Sequence, residues 1–268
     1  LPVYNDWPNL FAILKKIEKI KKKQKIKINI LIVNDSSTNK FDYKKFDFKK
    51  TFYLNLKKNV GSQKAIATGI KYAIKKKMGD GFIIMDSDGE DNPDEISNII
   101  KLIKNKKINA ITMNRKIRHE SFLFSILYEI HLLLTLFLTF HYIRFGNFSY
   151  LSLEAIKKIE SKKDLWMAYS STISKYLNNK EKIKTERKNR ISGQSKMKYW
   201  QLFFHSFRIL AVFKNKVFII SIFYLILSFN FFELNFYNIY FLLTFFLLTF
   251  INSIIWTIHI YFKNLYIS

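Results

Sequence analysis

Four carboxylates lie within six consecutive residues in segment 86–91, whose sequence is Asp-Ser-Asp-Gly-Glu-Asp. An apolar run at 82–85 directly precedes them and predicts a buried strand. Carboxylates so close together repel one another unless solvent or a cation neutralises them. Hard oxygen ligands suit Mg²⁺ or Mn²⁺ bound together with substrate phosphates. We therefore expect Asp86 and Asp88 to project from a strand end toward a divalent ion. The alternative is an acidic, solvated turn ahead of the next helix.

Two further polar segments, 34–38 (Asn-Asp-Ser-Ser-Thr) and 59–64 (Asn-Val-Gly-Ser-Gln-Lys), adjoin predicted elements. Asp35 comes just past a strand end, where its carboxylate can accept hydrogen bonds from a nucleobase N–H or a ribose hydroxyl. Gly61 precedes a helix, and a small residue at a helix N-terminus suits the close approach of a ligand. Taken alone, segment 34–38 is better explained as a polar turn, and segment 59–64 is equally well explained as an ordinary helix start with a Gly turn.

The elements that must position these residues alternate along the first 115 residues. Short apolar runs predict strands, and the longer Lys-rich stretches between them predict helices. The predicted strands are 1–4, 26–33, 51–56, 82–85 and 110–113, and the predicted helices are 9–20, 62–75 and 94–104. Strands that alternate with helices predict an α/β fold with a doubly wound, mostly parallel sheet. Such sheets bind ligands beyond the carboxyl ends of their strands, where the polar clusters fall.

The chain is strongly basic, with a formal net charge of +25 over 268 residues. That balance is typical of proteins that bind nucleic acid, an anionic membrane surface or polyphosphate substrates, and it also arises from heavy Lys usage in an AT-rich coding sequence. The absence of cysteine excludes disulfides and thiolate metal sites and fits a reducing compartment. The chain starts at Leu1 inside an apolar pattern, so we expect a few residues to precede it.

The second half of the chain is much more apolar than the first. Residues 122–143 are apolar but include Glu129, His131 and His141, so we expect helices in the membrane interface or on the domain, with a spanning helix as the alternative. Short helices are predicted at 152–160 and 165–177, and a strand or loop at 180–190. Residues 199–216 contain a predicted interfacial amphipathic helix.

From residue 217 onward, only Glu233 and Lys263 are charged. Residues 217–232 and 238–262 are the two candidate spans of a transmembrane hairpin, and the first is short for a hydrocarbon core of ~30 Å. Lys214 and Lys216 before the hairpin, and Lys263 after it, predict that both ends lie in the cytosol with the catalytic domain. The expected domains are 1–198, divided into halves 1–115 and 116–198, then 199–216 and 217–262. The aromatic-rich tail offers no basic groove, so we expect no binding to nucleic acid.

Seven segments together resemble the inverting family 2 glycosyltransferases, in the branch that makes dolichyl- or polyprenyl-phosphate sugars. The resemblance covers residues 1 to about 200, in the family's order and spacing. It implies a GT-A fold. The segments are Pro2-Val3-Tyr4-Asn5-Asp6, Asn34-Asp35-Ser36-Ser37-Thr38, Asn59-Val60-Gly61-Ser62-Gln63-Lys64-Ala65, Asp86 through Pro93, Arg115, Gly146-Asn147-Phe148-Ser149-Tyr150-Leu151-Ser152 and Arg190-Ile191-Ser192-Gly193-Gln194-Ser195-Lys196.

The resemblance implies four groups of site residues. The nucleotide-sugar-binding residues are Pro2, Tyr4, Asp6, Asp35, Gly61, Lys64 and Asp86. The ligands of Mg²⁺ or Mn²⁺ are Asp86, Asp88 and Glu90. The catalytic residues are Asp88, Asp91 and Arg115. The residues that face phosphates of the acceptor or donor are Arg118, Arg190 and Lys196, together with Arg115.

The chain departs from the family pattern at several of these positions. Asp6 replaces a Glu, Asn34 the first Asp of its motif and Ser36 a Gly, while Glu90 stands at a position that is usually Gln. Many relatives carry Arg where this chain has Ser149 and Leu153. The changes leave the expected metal ligands intact and bear on acceptor binding and nucleotide choice.

The implied reaction is metal-dependent, inverting transfer of a sugar from a nucleotide-diphospho-sugar to a polyprenyl phosphate, with undecaprenyl and dolichyl phosphate as the two candidates. Two alternatives stay open: transfer to a hydroxyl of a lipid-linked glycan, which would need a general base such as Asp91, and an inactive membrane protein of the same fold. The implied partners are the nucleotide sugar, the lipid acceptor and the membrane. Self-association through the spanning helices is a further expectation.

Overall fold

The computed structural model describes residues 1–39, 50–115, 122–186, 188, 190, 199–231 and 239–267. The chain forms two compact units. The first comprises Leu1–Glu120 with Arg144–Lys196, and the second comprises Ser121–Ile143 with Met197–Ser268. Segment Ser121–Ile143 therefore groups with the C-terminal helices, whereas the sequence-based boundary at 198 includes it in the first domain.

A parallel three-stranded sheet carries the first polar loops. Its strands are β1 (Pro2–Val3), β2 (Ile30–Asn34) and β3 (Thr51–Asn55), in the order β1-β2-β3. Helix α1 (Trp7–Gln24) follows β1, and helix α2 (Ser62–Lys75) follows β3. A proline in the first turn of α1 fits the helix start, because its missing N–H would have no intrahelical partner there. The parallel pairing and the helical crossover from β1 to β2 through α1 confirm the α/β prediction.

A second, four-stranded sheet carries the acidic segment. Its strands are β4 (Gly81–Ile84), β5 (Ala110–Arg115), β6 (Phe145–Ser152) and β7 (Glu181–Thr185), in the order β4-β6-β5-β7. Strand β6 runs antiparallel to both β4 and β5, while β7 is parallel to β5. Helix α3 (Glu95–Asn105) joins β4 to β5. The antiparallel β6 is a difference from the predicted strand set, which contained no strand over 145–152.

One hydrophobic core includes residues from both sheets of the first unit. Helix α1 buries Leu10, Ile13, Leu14 and Ile17, a spacing that places them on one helical face. Strand β6 adds Phe148 to the same core. Helix α2 lies so close to β2 that a Cβ at Gly69 would be 2.7 Å from Cγ2 of Val33. This packing fixes the strand ends from which the polar loops emerge.

Three short elements complete the first unit: helix α5 (Leu153–Glu160), a 3₁₀ turn (Lys163–Trp166) and helix α6 (Tyr169–Tyr176). The Ser152 side chain begins α5 by accepting a hydrogen bond from the Ala155 N–H at 3.1 Å. Helix α6 is almost entirely buried, with Tyr169 and Ile173 fully enclosed. Its N-terminal end is therefore a fixed point for the side chains bonded to it.

The second unit is helical and comprises α4 (Phe122–Thr139), α7 (Tyr199–Ala211), α8 (Lys214–Phe231) and α9 (Ile239–Ile267). Helices α8 and α9 meet where the Asn252 amide donates to Ser221 Oγ at 2.9 Å. Both helices also expose many large apolar side chains, including Ile219 and Phe223 of α8 and Phe246 and Phe250 of α9.

Within the described residues, one helix is long and apolar enough to cross a bilayer, over Ile239–Asn264 in α9. A second candidate arises only if Phe203–Ala211 and Lys214–Phe229 count as one span, and those helices meet at 93°. The predicted first span, 217–232, is thus not a spanning helix by itself on these criteria. The predicted turn at 233–237 lies outside the described residues.

Candidate active site

Asp35 joins the loop after β2 to the loop before α2. Its carboxylate is only 3% exposed and accepts two backbone hydrogen bonds, from Val60 N–H to Oδ1 at 2.8 Å and from Gly61 N–H to Oδ2 at 2.9 Å. Gly61 has φ of +86°, a conformation that glycine adopts without the strain of a side chain. Asp35 therefore fixes the backbone that leads into α2.

The loop after β1 is tied to the same region. The Asn5 N–H donates to Ser37 Oγ at 3.0 Å, its side-chain amide donates to Thr38 Oγ1 at 3.0 Å, and its Oδ1 accepts from the Asn39 N–H at 3.0 Å. Pro2 pairs with Val33 in the sheet, while Tyr4 is 42% exposed beside these contacts. The first two polar loops consequently form one connected edge at the carboxyl ends of β1 and β2.

The acidic segment 86–91 forms a turn that its own side chains close. The backbone N–H of Asp86 donates to Asp91 Oδ2 at 3.3 Å, and that of Glu90 donates to Asp88 Oδ1 at 3.1 Å. Glu90 and Asp91 are both buried. The predicted alternative of a freely solvated turn therefore does not describe this segment.

Arg190 lies among three carboxylates. Its guanidinium nitrogens are 3.1 Å from Asp88 Oδ2, 3.3 Å from Glu90 Oε1 and 3.7 Å from Asp6 Oδ2. The neighbouring Lys188 N–H donates to the Glu90 carbonyl oxygen at 2.8 Å, which holds the chain near Arg190 against the acidic turn. Arg190, expected to face phosphate, thus binds the proposed metal ligands in the described structure. The segments that follow β1, β4 and β7 meet at this one cation.

The carboxylates of Asp86, Asp88 and Glu90 are suitable ligands for a divalent ion, but they are not arranged around one ion position in this structure. They are hard oxygen ligands, and two of them already face a positive group. Among the described residues, however, no group of three or more His, Asp or Glu side chains could hold one metal ion. The broad guanidinium between Asp88 and Glu90 accounts for their spacing. A metal ion at Asp86, Asp88 and Glu90 would require Arg190 to give up these contacts.

A chain of side-chain amides holds the remaining carboxylate, Asp86. Asn147 Nδ2 donates to both of its oxygens, at 2.9 and 3.2 Å, and Asn147 Oδ1 accepts from Gln63 Nε2 at 3.1 Å. Gln63 Oε1 accepts from the Tyr169 backbone N–H at 2.7 Å. Gln63 and Asn147 stand inside sequence segments that resemble family motifs, but the sequence alone gave no reason to assign them to the site.

The remaining predicted residues are placed as follows. Lys64 lies in the first turn of α2, half-buried. Arg115 ends β5 and pairs with Thr185 of β7 through the backbone, but its side chain is not described. Arg118 and Lys196 lie outside the described residues. The structure therefore brings together Asp6, Asp88, Glu90 and Arg190, and leaves the predicted acceptor residues Arg118 and Lys196 as predictions.

Comparisons with known proteins agree with this architecture. The family model described as glycosyl transferase family 2 matches residues 1–159. The uncharacterized protein MJ0544 of Methanocaldococcus jannaschii is 26% identical over 124 residues, which cover 44% of this chain and 52% of that relative. The match therefore spans about half of that protein's length.

Among solved structures, mannosyl-3-phosphoglycerate synthase from Rubrobacter xylanophilus superposes with a TM-score of 0.53 at 12% identity, covering 81% of this chain and 72% of that one. Residues 1–349 of S. aureus TarS give a TM-score of 0.45 at 14% identity, over 81% and 70% of the two chains. The first of these likenesses supports the α/β fold of GT-A type and nothing finer. Because the family model covers more than half of the chain and includes the loops that carry Asp35 and segment 86–91, the chain belongs to glycosyl transferase family 2.

Proposed function

We propose that this chain catalyses metal-dependent transfer of a sugar from a nucleotide-diphospho-sugar to a polyprenyl phosphate in the membrane, with inversion at the anomeric carbon. One observation carries the proposal: Asp6, Asp88 and Glu90, from loops that follow two different strands, converge on a single cation, Arg190. Carboxylates gathered around a positive charge at strand ends form a site at which a diphosphate and its counter-ion can be bound.

The nucleotide half of the proposed donor binds at the edge formed by the first two loops. Tyr4 offers an exposed aromatic face at this edge, suited to a nucleobase. In this proposal Pro2, Asp6 and Asp35 contact the base and ribose. Gly61 and Lys64 lie at the N-terminal end of α2, where backbone N–H groups and the helix dipole favour phosphate.

Asp86, Asp88 and Glu90 are the residues that would hold Mg²⁺ or Mn²⁺. Such an ion supplies Lewis-acid stabilisation of the departing nucleoside diphosphate. Arg190 and a divalent cation cannot share Asp88 and Glu90 at these distances, so the two compete. Once released from the carboxylates, Arg190 can bind a phosphate oxygen through its planar pair of N–H groups.

A polyprenyl phosphate such as undecaprenyl or dolichyl phosphate is the acceptor that the site favours. Its attacking oxygen is already anionic and needs no strong general base. Asp91, the expected base for a hydroxyl acceptor, is 6% exposed and already accepts the Asp86 N–H. We propose that Arg115, Arg118 and Lys196 position the lipid phosphate.

The membrane-bound arrangement is part of this proposal. Helix α9 anchors the chain, and the apolar stretch 217–232 forms a hairpin with it, which leaves the catalytic domain in the cytosol beside the membrane-dissolved acceptor. Tethering to the bilayer raises the effective concentration of such an acceptor. Self-association through these helices is the remaining expectation for the assembly.

The direct test is a transfer assay with the full chain in detergent, over UDP-, GDP- and dTDP-sugars, with and without undecaprenyl phosphate. We expect sugar transfer from at least one donor that depends on the lipid phosphate. Transfer only to a hydroxyl of a lipid-linked glycan would contradict the proposed acceptor. If the chain shows no transfer and no hydrolysis with any of the donors, that result would contradict the proposed enzyme.

A further inference from the structure

The amide chain that reaches Asp86 begins at a group that can only donate. The Tyr169 backbone N–H lies 2.7 Å from Gln63 Oε1, and both residues are buried. A backbone N–H has no acceptor capacity, so the carbonyl oxygen of Gln63 must face it. The amino group of the Gln63 side chain must consequently point the other way, toward Asn147.

The same reasoning sets the orientation of Asn147. Gln63 Nε2 is 3.1 Å from Asn147 Oδ1, so the carbonyl oxygen of Asn147 is the atom that faces Gln63. The Asn147 amino group is then left to donate to both oxygens of Asp86, at 2.9 and 3.2 Å. One backbone N–H on α6 thus fixes the direction of two side-chain amides and delivers a hydrogen-bond donor to Asp86.

A second contact holds Asn147 in place. Ser149 Oγ donates to the backbone carbonyl oxygen of Asn147 at 3.1 Å and lies 2.7 Å from the Tyr169 hydroxyl. Because the Ser149 proton is used on Asn147, the Tyr169 hydroxyl is the donor in the second bond. Burial raises the pKa of Tyr169 well above its ordinary value, so its hydroxyl keeps the proton that it donates.

We propose that Gln63 and Asn147 are positioning residues that hold the Asp86 carboxylate in one orientation for the nucleotide sugar and its counter-ion. A carboxylate accepts hydrogen bonds, so a rotated amide that presented its own oxygen to Asp86 would lose both contacts and repel the carboxylate. The inference rests on the proposed sugar transfer. It assigns to these two side chains the role of keeping one carboxylate as an acceptor.

Two substitutions at Gln63 separate its effect on the orientation of the Asn147 amide from its effect on packing. Gln63→Glu keeps the size and the acceptor for Tyr169, but a carboxylate has no proton for Asn147, whose carbonyl oxygen is then repelled toward Asp86. Gln63→Leu leaves the Tyr169 N–H without its partner but imposes no direction on Asn147. We therefore expect Gln63→Glu to weaken nucleotide-sugar binding by about tenfold or more, and to lower the melting temperature because the new carboxylate is buried. Gln63→Leu should lower the melting temperature and leave binding within about threefold.

Asn147→Asp provides a second variant of native size. It removes the donor to Asp86 and places a like charge beside it, so we expect binding to weaken by more than about tenfold. Gln24→Glu makes the same chemical change as Gln63→Glu at the end of α1 and is the matched control, with binding and melting both unchanged.

The experiment measures binding of UDP-glucose, GDP-mannose and dTDP-glucose with Mn²⁺ to the full chain in detergent, together with thermal melting. If Gln63→Glu and Asn147→Asp both bind nucleotide sugar as tightly as wild type, the inference is overturned. The proposed function is not contradicted by that result. Equal loss of binding in Gln63→Glu and Gln63→Leu would also overturn it, because packing alone would explain that result. Failure of the wild type to bind any of the three nucleotide sugars would contradict the proposed function, and the inference with it.

Discussion

At the scale of single residues, the site is organised by pairing each acidic side chain with a specific donor. Arg190 is shared by Asp88, Glu90 and Asp6, while Asn147 serves Asp86 and two backbone amides serve Asp35. Half-buried carboxylates need such partners, since an unpaired charge away from water carries a large desolvation penalty. Replacing any one partner should therefore change both the local charge balance and the affinity for cations.

Arg190→Gln removes the positive charge while keeping some hydrogen-bonding capacity. We expect Mn²⁺ affinity to rise by about tenfold, or about 1.4 kcal/mol, because the competing cation is gone. Sugar transfer should fall by at least about tenfold, because the phosphate loses its guanidinium partner. Lys188→Gln is the matched control, since the Lys188 side chain pairs with the exposed Asp94, at 3.4 Å. Mn²⁺ affinity equal to wild type in Arg190→Gln would rule out the competition.

Asp35→Asn tests the two hydrogen bonds by which Asp35 connects the loop after β2 to the loop before α2. An asparagine at this position keeps one acceptor oxygen but directs its amino group at one of the two backbone N–H groups, from Val60 or Gly61. We expect a loss of about 1–3 kcal/mol in the free energy of unfolding, measured by thermal or denaturant melting. Glu154→Gln, which breaks an exposed ion pair to Lys158, should melt close to wild type. A melting curve of Asp35→Asn that superimposes on that of wild type would contradict the claim that these hydrogen bonds stabilise the fold.

At the scale of elements, the close approach of α2 to β2 gives a prediction opposite to helix propensity. Alanine normally stabilises a helix interior relative to glycine by about 1 kcal/mol. At position 69 the added methyl would lie 2.7 Å from Cγ2 of the buried, β-branched Val33. Gly69→Ala should therefore destabilise the unit by about 1–3 kcal/mol. Adding Val33→Ala should recover part of that loss, and a double-mutant cycle with no coupling would contradict the contact.

The elements show what the sequence could and could not predict. Helix 62–75 was predicted with the bounds found for α2, because its apolar residues repeat at helical spacing. Strand β6 was missed, because its sequence does not alternate and its partners lie far away along the chain. Asp86 and Asp88 were singled out by type and spacing. Gln63 and Asn147 were not, since their roles arise from contacts over 61 to 106 residues of sequence separation.

At the scale of the whole molecule, the proposed membrane hairpin can be tested by the side of the bilayer on which its two ends lie. The chain contains no cysteine, so single introduced cysteines can report the side of the bilayer. We choose Lys158→Cys in the first unit and Lys263→Cys near the end of α9, both exposed. The proposed hairpin predicts that a membrane-impermeant maleimide labels both from the cytosolic side. Labelling from opposite sides would show that α9 spans alone and would contradict the hairpin.

The central claim is that the carboxylates at the end of β4 hold the cation that stabilises the negative charge of a departing nucleotide. One comparison tests this claim most directly. Transfer of a labelled sugar from a nucleotide sugar to undecaprenyl phosphate is measured in detergent for wild type, Asp88→Asn and the exposed control Asp94→Asn. The account predicts that Asp88→Asn loses about a hundredfold or more of the rate while Asp94→Asn keeps it. Transfer by Asp88→Asn at the wild-type rate would contradict the account.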